Sequence, residues 1–122
     1  MSEFSGKVAI VTGSSSGIGE AIARRLSALG AAVVINSATS VEAGTRIAAE
    51  LGKDALYVQA DISDKAAGER LLAATIERFG KLDILVNNAG WTTTVAHHDL
   101  EALTDEIFTR TFATNVNGTW ML

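Results

Sequence analysis

The chain has 122 residues, of which 48% are hydrophobic and 20% are charged, and it carries a net charge of −4. This composition is typical of one globular domain and excludes a disordered chain. The acidic balance, without a lysine or arginine cluster, argues against a nucleic-acid partner. The absence of cysteine excludes disulfides and thiolate metal sites. The apolar run Val8 to Val11 is too short for a signal peptide or a membrane span, so we expect a soluble cytoplasmic protein.

Short apolar segments alternate along the chain with longer segments of helical periodicity. Continuously apolar strands are typical of a parallel sheet that is covered on both faces, and short helix-to-strand connections are typical of βαβ units. Right-handed crossovers then predict a doubly wound α/β sheet of the Rossmann type, incomplete at about four strands with flanking helices. The predicted strands are residues 7–12, 31–36, 55–60 and 83–87.

Glycine ends each of the first three predicted helices, as is common at helix C-termini. These helices span residues 17–30, 41–51 and 64–79, and the ending glycines are Gly30, Gly52 and Gly80. Ser63 is the predicted N-cap of the third helix. Thr104 is the predicted N-cap of a last helix that runs to the end of the chain, with two acidic residues at its positive end.

Helical spacing also predicts which face of each of these three helices is buried. The inward residues are Ile18, Ile22, Leu26 and Leu29 in the first helix, Val41, Ile47, Ala48 and Leu51 in the second, and Leu72, Ile76 and Phe79 in the third.

The turn from the first strand into the first helix has the sequence TGSSSGIG, residues 12–19. Gly13 permits backbone angles closed to other residues, Gly17 removes a side chain where a pyrophosphate would approach, and Gly19 allows close helix packing. Serine hydroxyls and backbone amides at a helix N-terminus form an anion site. Because the turn follows a strand and begins a βαβ unit, it predicts dinucleotide binding rather than a simple glycine-rich turn. The predicted contacts are Gly13, Ser14, Ser15, Ser16, Gly17, Ile18 and Gly19.

The spacing T-G-x-x-x-G-x-G, without the lysine of a P-loop, resembles the short-chain dehydrogenase/reductase family. NNAG at residues 87–90, Asp61 with Ile62 after the third strand, and Asn115 in TNVNG match further family positions. The resemblance covers essentially the whole chain and favours the compact reductase branch, with stretches similar to 3-oxoacyl-carrier-protein reductases. It implies that residues 1–122 are the N-terminal NAD(P)-binding part of a single Rossmann-fold domain.

The resemblance also implies roles for the residues after strands three and four. Asp61 and Ile62 are expected to contact the adenine ring, although Asp61 is also a common former of turns such as the one before Ser63. In the family, the NNAG residues brace the sheet and contact the cofactor. This places Asn88, Ala89 and Gly90 in the predicted binding site.

Asn115 matches the asparagine of the family's catalytic tetrad, which holds a water molecule in a proton relay. Helical spacing places Asn115 on one face with Phe108 and Phe112, and this face is predicted to be core-like. A buried asparagine needs a specific partner, since leaving it unpaired costs about 1–3 kcal/mol. A structural water is the alternative to the catalytic role.

The end of the second strand bears on cofactor choice. Dehydrogenases that prefer NAD place an acid there, about 20 residues after the glycine motif, to bind the ribose 2′-hydroxyl. Here the position is Ser37, and its neighbours Thr39 and Ser40 also carry hydroxyls that could donate to a 2′-phosphate. An arginine that many NADP-binding members carry is missing, since Ser16 and Thr39 occupy the expected places. We therefore favour NADP(H), with NAD(H) as the alternative.

The resemblance implies hydride transfer between a nicotinamide and a carbonyl or alcohol substrate, by a tetrad whose serine and Tyr-x-x-x-Lys pair follow the asparagine. The single tyrosine, Tyr57, is followed four residues later by Asp61, so it is not that catalyst. The leading hypothesis is the cofactor-binding half of an oxidoreductase, inactive alone. The alternative is a complete, non-catalytic dinucleotide-binding module. The apolar end, residues 120–122, favours a helix that is cut before it finishes.

Three further expectations concern metals, substrate and partners. Adjacent His97 and His98, with Asp99, lack the spacing of a zinc site, so no metal is predicted. Trp91 either borders the substrate or anchors a loop. The family resemblance implies a homo-dimer or homo-tetramer that associates through the helix beginning at Thr104.

Overall fold

The fold is a four-stranded parallel sheet with helices on both faces, seen in a computed structural model that describes residues 3–90 and 104–122. The strands are β1 (Val8–Val11), β2 (Ala32–Ser37), β3 (Ala55–Gln59) and β4 (Ile84–Val86), in the spatial order β3-β2-β1-β4. The helices are α1 (Gly17–Ala28), α2 (Val41–Leu51), α3 (Lys65–Phe79), α4 (Asp105–Phe112) and α5 (Thr119–Met121), and a π-helical segment, Ala113–Gly118, joins α4 to α5. The predicted fold class and all four strands are confirmed.

The strand order reverses between β1 and β4. The chain first adds β2 and then β3 on one side of β1, and it next crosses over to place β4 on the other side. Ile10 pairs with both Val34 of β2 and Leu85 of β4, which makes β1 the centre of the sheet. In such sheets, ligands bind beyond the carboxyl ends of the strands at the point of reversal.

Two apolar clusters, one on each face of the sheet, form the core. Val33 and Ile35 face α1 and α2, where they pack with Ala23 and Ile47. The alternating residues Ile10 and Val34 face α3 instead, where they pack with Ala67 and Leu71. Since each strand buries both of its faces, its sequence is continuously apolar.

The buried face of α3 differs from the prediction. Leu72 and Ile76 are 41% and 43% exposed, whereas Leu71 and Thr75 are fully buried. Small residues on the Leu71 side, including Ala67, let the helix approach the sheet closely. The Thr75 hydroxyl donates to the carbonyl of Leu71 at 2.9 Å, so the polar group is satisfied inside the core. Two further inward assignments were wrong, because Ile18 and Val41 are 75% and 48% exposed near the N-termini of their helices.

The N-cap of α3 is Asp64, and the prediction of Ser63 was wrong by one residue. The Asp64 carboxylate accepts the backbone N–H of Ala66 at 3.1 Å. Both the N–H and the hydroxyl of Ser63 instead donate to Asp61, at 3.0 and 2.6 Å. Asp61 therefore holds the Ser63 hydroxyl in the preceding turn, and the helix begins one residue later.

The last helical stretch also differs from the predicted helix, both in its continuity and in the face that it buries. The predicted continuous helix does begin with Thr104 as its N-cap, but it widens into the π-helical segment after Phe112. The wide turn occurs where the chain crosses the Asp61–Ile62 turn, since a Cβ on Gly118 would lie 2.6 Å from the Ile62 carbonyl oxygen. The face predicted to be core-like is exposed, with Phe108 at 52% and Phe112 at 57%.

We expect Asp64→Ala to lower the free energy of unfolding by about 1 kcal/mol, because it removes the acceptor that caps α3. Ser63→Ala serves as the matched control, since its hydroxyl contributes only to an exposed turn, and we expect a loss below about 0.5 kcal/mol. Urea denaturation of the two variants measures both values. A larger loss for Ser63→Ala would restore Ser63 as the N-cap.

We expect the stability contributed by Asp83 to disappear in acid. The Val8 amide donates to the Asp83 carboxylate at 2.9 Å, and Lys81 lies 3.0 Å from it, and these contacts lower the pKa of Asp83. A lowered pKa in the folded state means that the contribution is present above the ordinary carboxyl pKa, near 4, and is lost as the pH falls through the folded value. Asp83→Asn should thus unfold at lower urea concentration than the parent at pH 6, with the difference shrinking below about pH 3. A difference that is constant with pH would contradict this.

Candidate functional site

A cleft of about 230 Å³ opens at the carboxyl ends of the strands, where the strand order reverses. It is bounded by the loops after all four strands and by one side of α4 and the π-helical segment. The cleft brings together eight of the predicted site residues: Gly13, Ser15, Ser16, Ser37, Asp61, Ile62, Ala89 and Gly90. The remaining predicted residues, Ser14, Gly17, Ile18, Gly19, Asn88 and Asn115, are not among its lining residues.

Thr12, at the end of β1, joins the first turn to the NNAG segment. Its side chain is fully buried, and its hydroxyl oxygen accepts the backbone N–H groups of Asn88 and Ala89 at 3.1 and 3.0 Å. The Asn88 side-chain amide donates back to the carbonyls of Thr12 and Gly13, at 3.1 and 3.0 Å. The two loops are therefore fixed to each other by four hydrogen bonds. This is the bracing that the family resemblance implied for Asn88.

Asn36, near the end of β2, connects the first turn to β3. It is only 1% exposed, and its side-chain amide donates to the carbonyls of Val58 and Ala60, each at 3.1 Å. Its side-chain oxygen accepts the N–H of Gly13 at 3.2 Å. No role was predicted for Asn36 from the sequence. The available signal was an asparagine at the end of an apolar strand, since a buried amide must find partners.

The first serine of the glycine-rich turn is a structural residue. The Ser14 hydroxyl donates to the carbonyl of Val11 at 2.6 Å and accepts the N–H of Asn36 at 3.0 Å. The next two serines line the cleft. Ser16 is the N-cap residue of α1, and its side chain makes no capping hydrogen bond. The first amides of a helix lack partners within the helix, so this end of α1 is suited to an anion.

The glycines of the turn are required for two different reasons. Gly13 has a φ of +64°, and a Cβ there would lie 2.8 Å from the Cα of Ala89. A Cβ on Gly19 would overlap the Gly13 carbonyl and the Asn88 side chain. Gly19 therefore lets α1 pack closely against both the glycine-rich turn and the loop that follows β4. Gly17 has a φ of +57°, which favours glycine, and within residues 3–90 and 104–122 no atom lies within 4 Å of the place its Cβ would take.

The predicted cofactor-selecting residue, Ser37, is 5% exposed and lines the cleft. Its hydroxyl lies 2.6 Å from the hydroxyl of Tyr57 on β3, and either group can donate. The neighbouring Thr39 and Ser40 line the same part of the cleft. Ser40 precedes α2 and makes no capping hydrogen bond through its side chain.

Asp61 and Ile62 form the wall of the cleft beyond β3. One carboxylate oxygen of Asp61 holds the turn before α3 through Ser63, so the alternative reading of Asp61 as a turn former is correct. Asp61 also lines the cleft. Ile62 is 3% exposed, and its carbonyl packs against Gly118.

Asn115 lies in the π-helical segment and faces the end of the NNAG loop. A Cβ on Gly90 would lie 3.4 Å from the side-chain oxygen of Asn115. Asn115 is exposed rather than buried, which corrects the expectation from its spacing with Phe108 and Phe112. The face that carries these aromatics does not enter the core.

Two residues of the last helical stretch, Arg110 and Thr114, line the cleft and were missed from the sequence. Arg110 and Asp61 are the charged residues among those that line it in the described part of the chain. A spacing signal existed, because Arg110 and Thr114 are four residues apart and thus share a helical face. Trp91, His97, His98 and Asp99 lie outside the described residues.

A family model described as short chain dehydrogenase matches residues 7–122. One relative, named as ketoacyl reductase 2 of the granaticin polyketide synthase from Streptomyces violaceoruber, is 54% identical over 113 residues, which are 93% of this chain and 45% of the relative. The chain therefore spans about half the length of the curated relatives it matches.

Two solved structures share the fold, each at 40% sequence identity. A 3-ketoacyl-(acyl-carrier-protein) reductase from Brucella melitensis, complexed with NADH, matches with a TM-score of 0.90 over 98% of this chain and 48% of its own. A short chain dehydrogenase from Burkholderia cenocepacia, in complex with NADP, matches with a TM-score of 0.88 over 97% of this chain and 48% of its own. These likenesses support the oxidoreductase hypothesis and not the binding-module alternative. The chain belongs to the short-chain dehydrogenase family.

Proposed function

We propose that this chain binds a nicotinamide dinucleotide in the cleft, as the N-terminal, cofactor-binding part of a single Rossmann-fold oxidoreductase domain. The observation that carries the proposal is the position of the cleft, beside the uncapped N-terminus of α1 and at the reversal of strand order. The NADH and NADP complexes of the two similar structures support the same ligand class.

The residues of the cleft fit the parts of such a cofactor. Ser15, Ser16 and the first turn of α1 would hold the pyrophosphate, because hydroxyls and helix amides donate to phosphate oxygens. Asp61 and Ile62 would hold the adenine. Ala89 and Gly90, fixed to β1 by Thr12, would border the nicotinamide. The bound cofactor would supply a hydride or accept one.

Asn115 is the tetrad member in this proposal. Its side chain lies next to Gly90, at the end of the cleft assigned to the nicotinamide. We propose that it helps to hold the water of a proton relay, while the serine, tyrosine and lysine of the tetrad are not among these 122 residues. The substrate would be a carbonyl or alcohol, and the similar ketoacyl reductases favour a 3-oxoacyl group.

We favour NADP(H) over NAD(H) because of the residues after β2. No carboxylate stands there to repel a 2′-phosphate, and Ser37, Thr39 and Ser40 offer hydroxyls. The cleft-lining residues directly after β2 include no arginine, but Arg110 of α4 adds a positive charge to the same cleft. Positive charge and hydroxyl donors suit a phosphate better than a neutral 2′-hydroxyl.

We also propose that the protein forms a homo-dimer or homo-tetramer through the α4–α5 stretch. Four large apolar side chains recur at every fourth position of this stretch, and each is more than half exposed: Phe108, Phe112, Val116 and Trp120. An apolar stripe of this kind is typical of a protein–protein interface.

None of the helices in residues 3–90 and 104–122 combines the length and hydrophobicity needed to cross a bilayer. The cytoplasmic location stays a prediction.

We expect NADPH to bind more tightly than NADH, and Ala38→Asp to reverse this preference. Ala38 is exposed at the end of β2 and lines the cleft, so an aspartate there would repel a 2′-phosphate and accept from a 2′-hydroxyl. We expect the NADPH dissociation constant to rise about tenfold or more and the NADH constant to stay the same or fall, so that NADH becomes the tighter ligand. Titration calorimetry measures both constants.

Ala38→Asn is the control for this experiment, because it has the shape of the aspartate without its charge. The control should keep the parent's preference for NADPH. Equal affinities of the parent for both nucleotides would contradict the assignment of NADP(H), and binding of neither would contradict the proposed function.

We expect the 122-residue polypeptide to show no reductase turnover, because it holds Asn115 without the Tyr-x-x-x-Lys pair. The assay follows NADPH absorbance with a 3-oxoacyl thioester and with a simple ketone, using protein whose intact mass has been confirmed as the 122-residue chain. Turnover by this preparation would overturn the assignment of the tetrad.

A further inference from the structure

The hydroxyls of Tyr57 and Ser37 meet at the edge of the cleft. Their oxygens are 2.6 Å apart, Ser37 lines the cleft, and Tyr57 lies on the neighbouring strand β3. The register of the sheet pairs Ile35 with Tyr57 and places Ser37 two residues further along, on the same face of the sheet. Tyr57 is the only tyrosine of the chain, and its hydroxyl has no part in the tetrad.

The ring of Tyr57 is held in position from the side of α2. Gly44 is buried, and a Cβ there would overlap the Tyr57 ring. The ring also packs against the apolar cluster that contains Ile35 and Ile47. A rigid, packed ring fixes the position of its hydroxyl, so the Ser37 oxygen has a fixed hydrogen-bond partner.

The chemistry of the two hydroxyls favours one direction for their hydrogen bond. A phenolic hydroxyl is a stronger hydrogen-bond donor than an aliphatic hydroxyl, which favours donation from Tyr57 to Ser37. If Tyr57 donates, one lone pair of Ser37 is occupied and the serine proton remains to be donated elsewhere. Ser37 is among the residues that line the cleft, so an acceptor bound beyond β2 would be a partner for this proton.

We propose that Tyr57 is a positioning residue that orients the Ser37 hydroxyl to donate to the 2′-phosphate of NADP(H). A phosphate only accepts hydrogen bonds, and bonds to charged acceptors are about twice as strong as neutral ones. A 2′-hydroxyl gains less from an oriented donor, since it is neutral and can itself donate or accept. The inference rests on the proposed function, because it needs a nicotinamide dinucleotide in this cleft.

The test compares NADPH and NADH dissociation constants for the parent, Tyr57→Phe, Ser37→Ala and the double variant. Tyr57→Phe keeps the ring against Gly44 and removes only the hydroxyl. We expect it to weaken NADPH binding about threefold, and Ser37→Ala to weaken it about tenfold, with NADH changed less than twofold in each. The double variant should bind NADPH no more weakly than Ser37→Ala, since Tyr57 acts through Ser37.

A matched control separates this role from general destabilisation. Thr75→Ala removes a buried hydroxyl from α3 and should lower the melting temperature without changing the ratio of the two dissociation constants. Tyr57→Phe overturns the inference if it weakens both nucleotides equally, leaves NADPH binding unchanged, or adds its full effect to that of Ser37→Ala. If Tyr57→Phe is not folded by circular dichroism, an equal loss of both nucleotides in Ser37→Ala overturns it.

Failure of the inference and failure of the proposed function give different results. A parent that binds neither nucleotide contradicts the proposed function, and the inference with it. A parent that binds both, with a Tyr57→Phe variant of unchanged selectivity, contradicts the inference alone.

Discussion

The cleft depends on buried polar side chains that bond to the backbone of neighbouring strands. Parallel strands end at the same edge of a sheet, but nothing in the strand pairing fixes the loops that leave them. Thr12 and Asn88 fix the first loop to the last, and Asn36 fixes the first loop to β3. Each of these groups would cost about 1–3 kcal/mol if it were left unpaired in the core, so the loops have one stable arrangement.

The shape of the glycine-rich turn follows from these bonds. Ser14 and Gly13 are both bonded to Asn36, which positions the turn before α1 begins. Gly19 then lets α1 contact the turn and the Asn88 side chain at once. Within residues 3–90 and 104–122, the side chains of Ser15 and Ser16, which line the cleft, make no such bonds to the core. Structural and binding roles are thus divided between adjacent serines.

Much of this fold could be predicted from the sequence, because strands and glycine-terminated helices have local signals. The helix α2 has the predicted bounds, and the strands differ by only one or two residues. The α3 face was wrong because the side of the helix that carries the small residues Ala67 and Gly68, with Leu71, packs against the sheet. The Asp64 cap was missed because Asp61, two residues before Ser63, holds the Ser63 hydroxyl in a local turn, and Ser63 and Asp64 are both residue types that cap helices. The places of Asn36 and Arg110 at the cleft could not be predicted, because they depend on which elements meet there in the folded chain.

The interlocked loops have a thermodynamic consequence. The seam between β1 and β4 is short, with three paired positions, and the side chains of Thr12 and Asn88 reinforce it at one end. Opening the seam would separate Gly13 from Ala89, which are in close contact when the seam is closed. A molecule that binds the glycine-rich turn therefore needs the seam to be intact. By linkage, a ligand that binds only while the seam is intact stabilises the seam by RT ln(1 + [L]/Kd), where [L] is the free ligand concentration. Binding in the cleft therefore raises the free energy of local unfolding at the β1–β4 edge of the sheet.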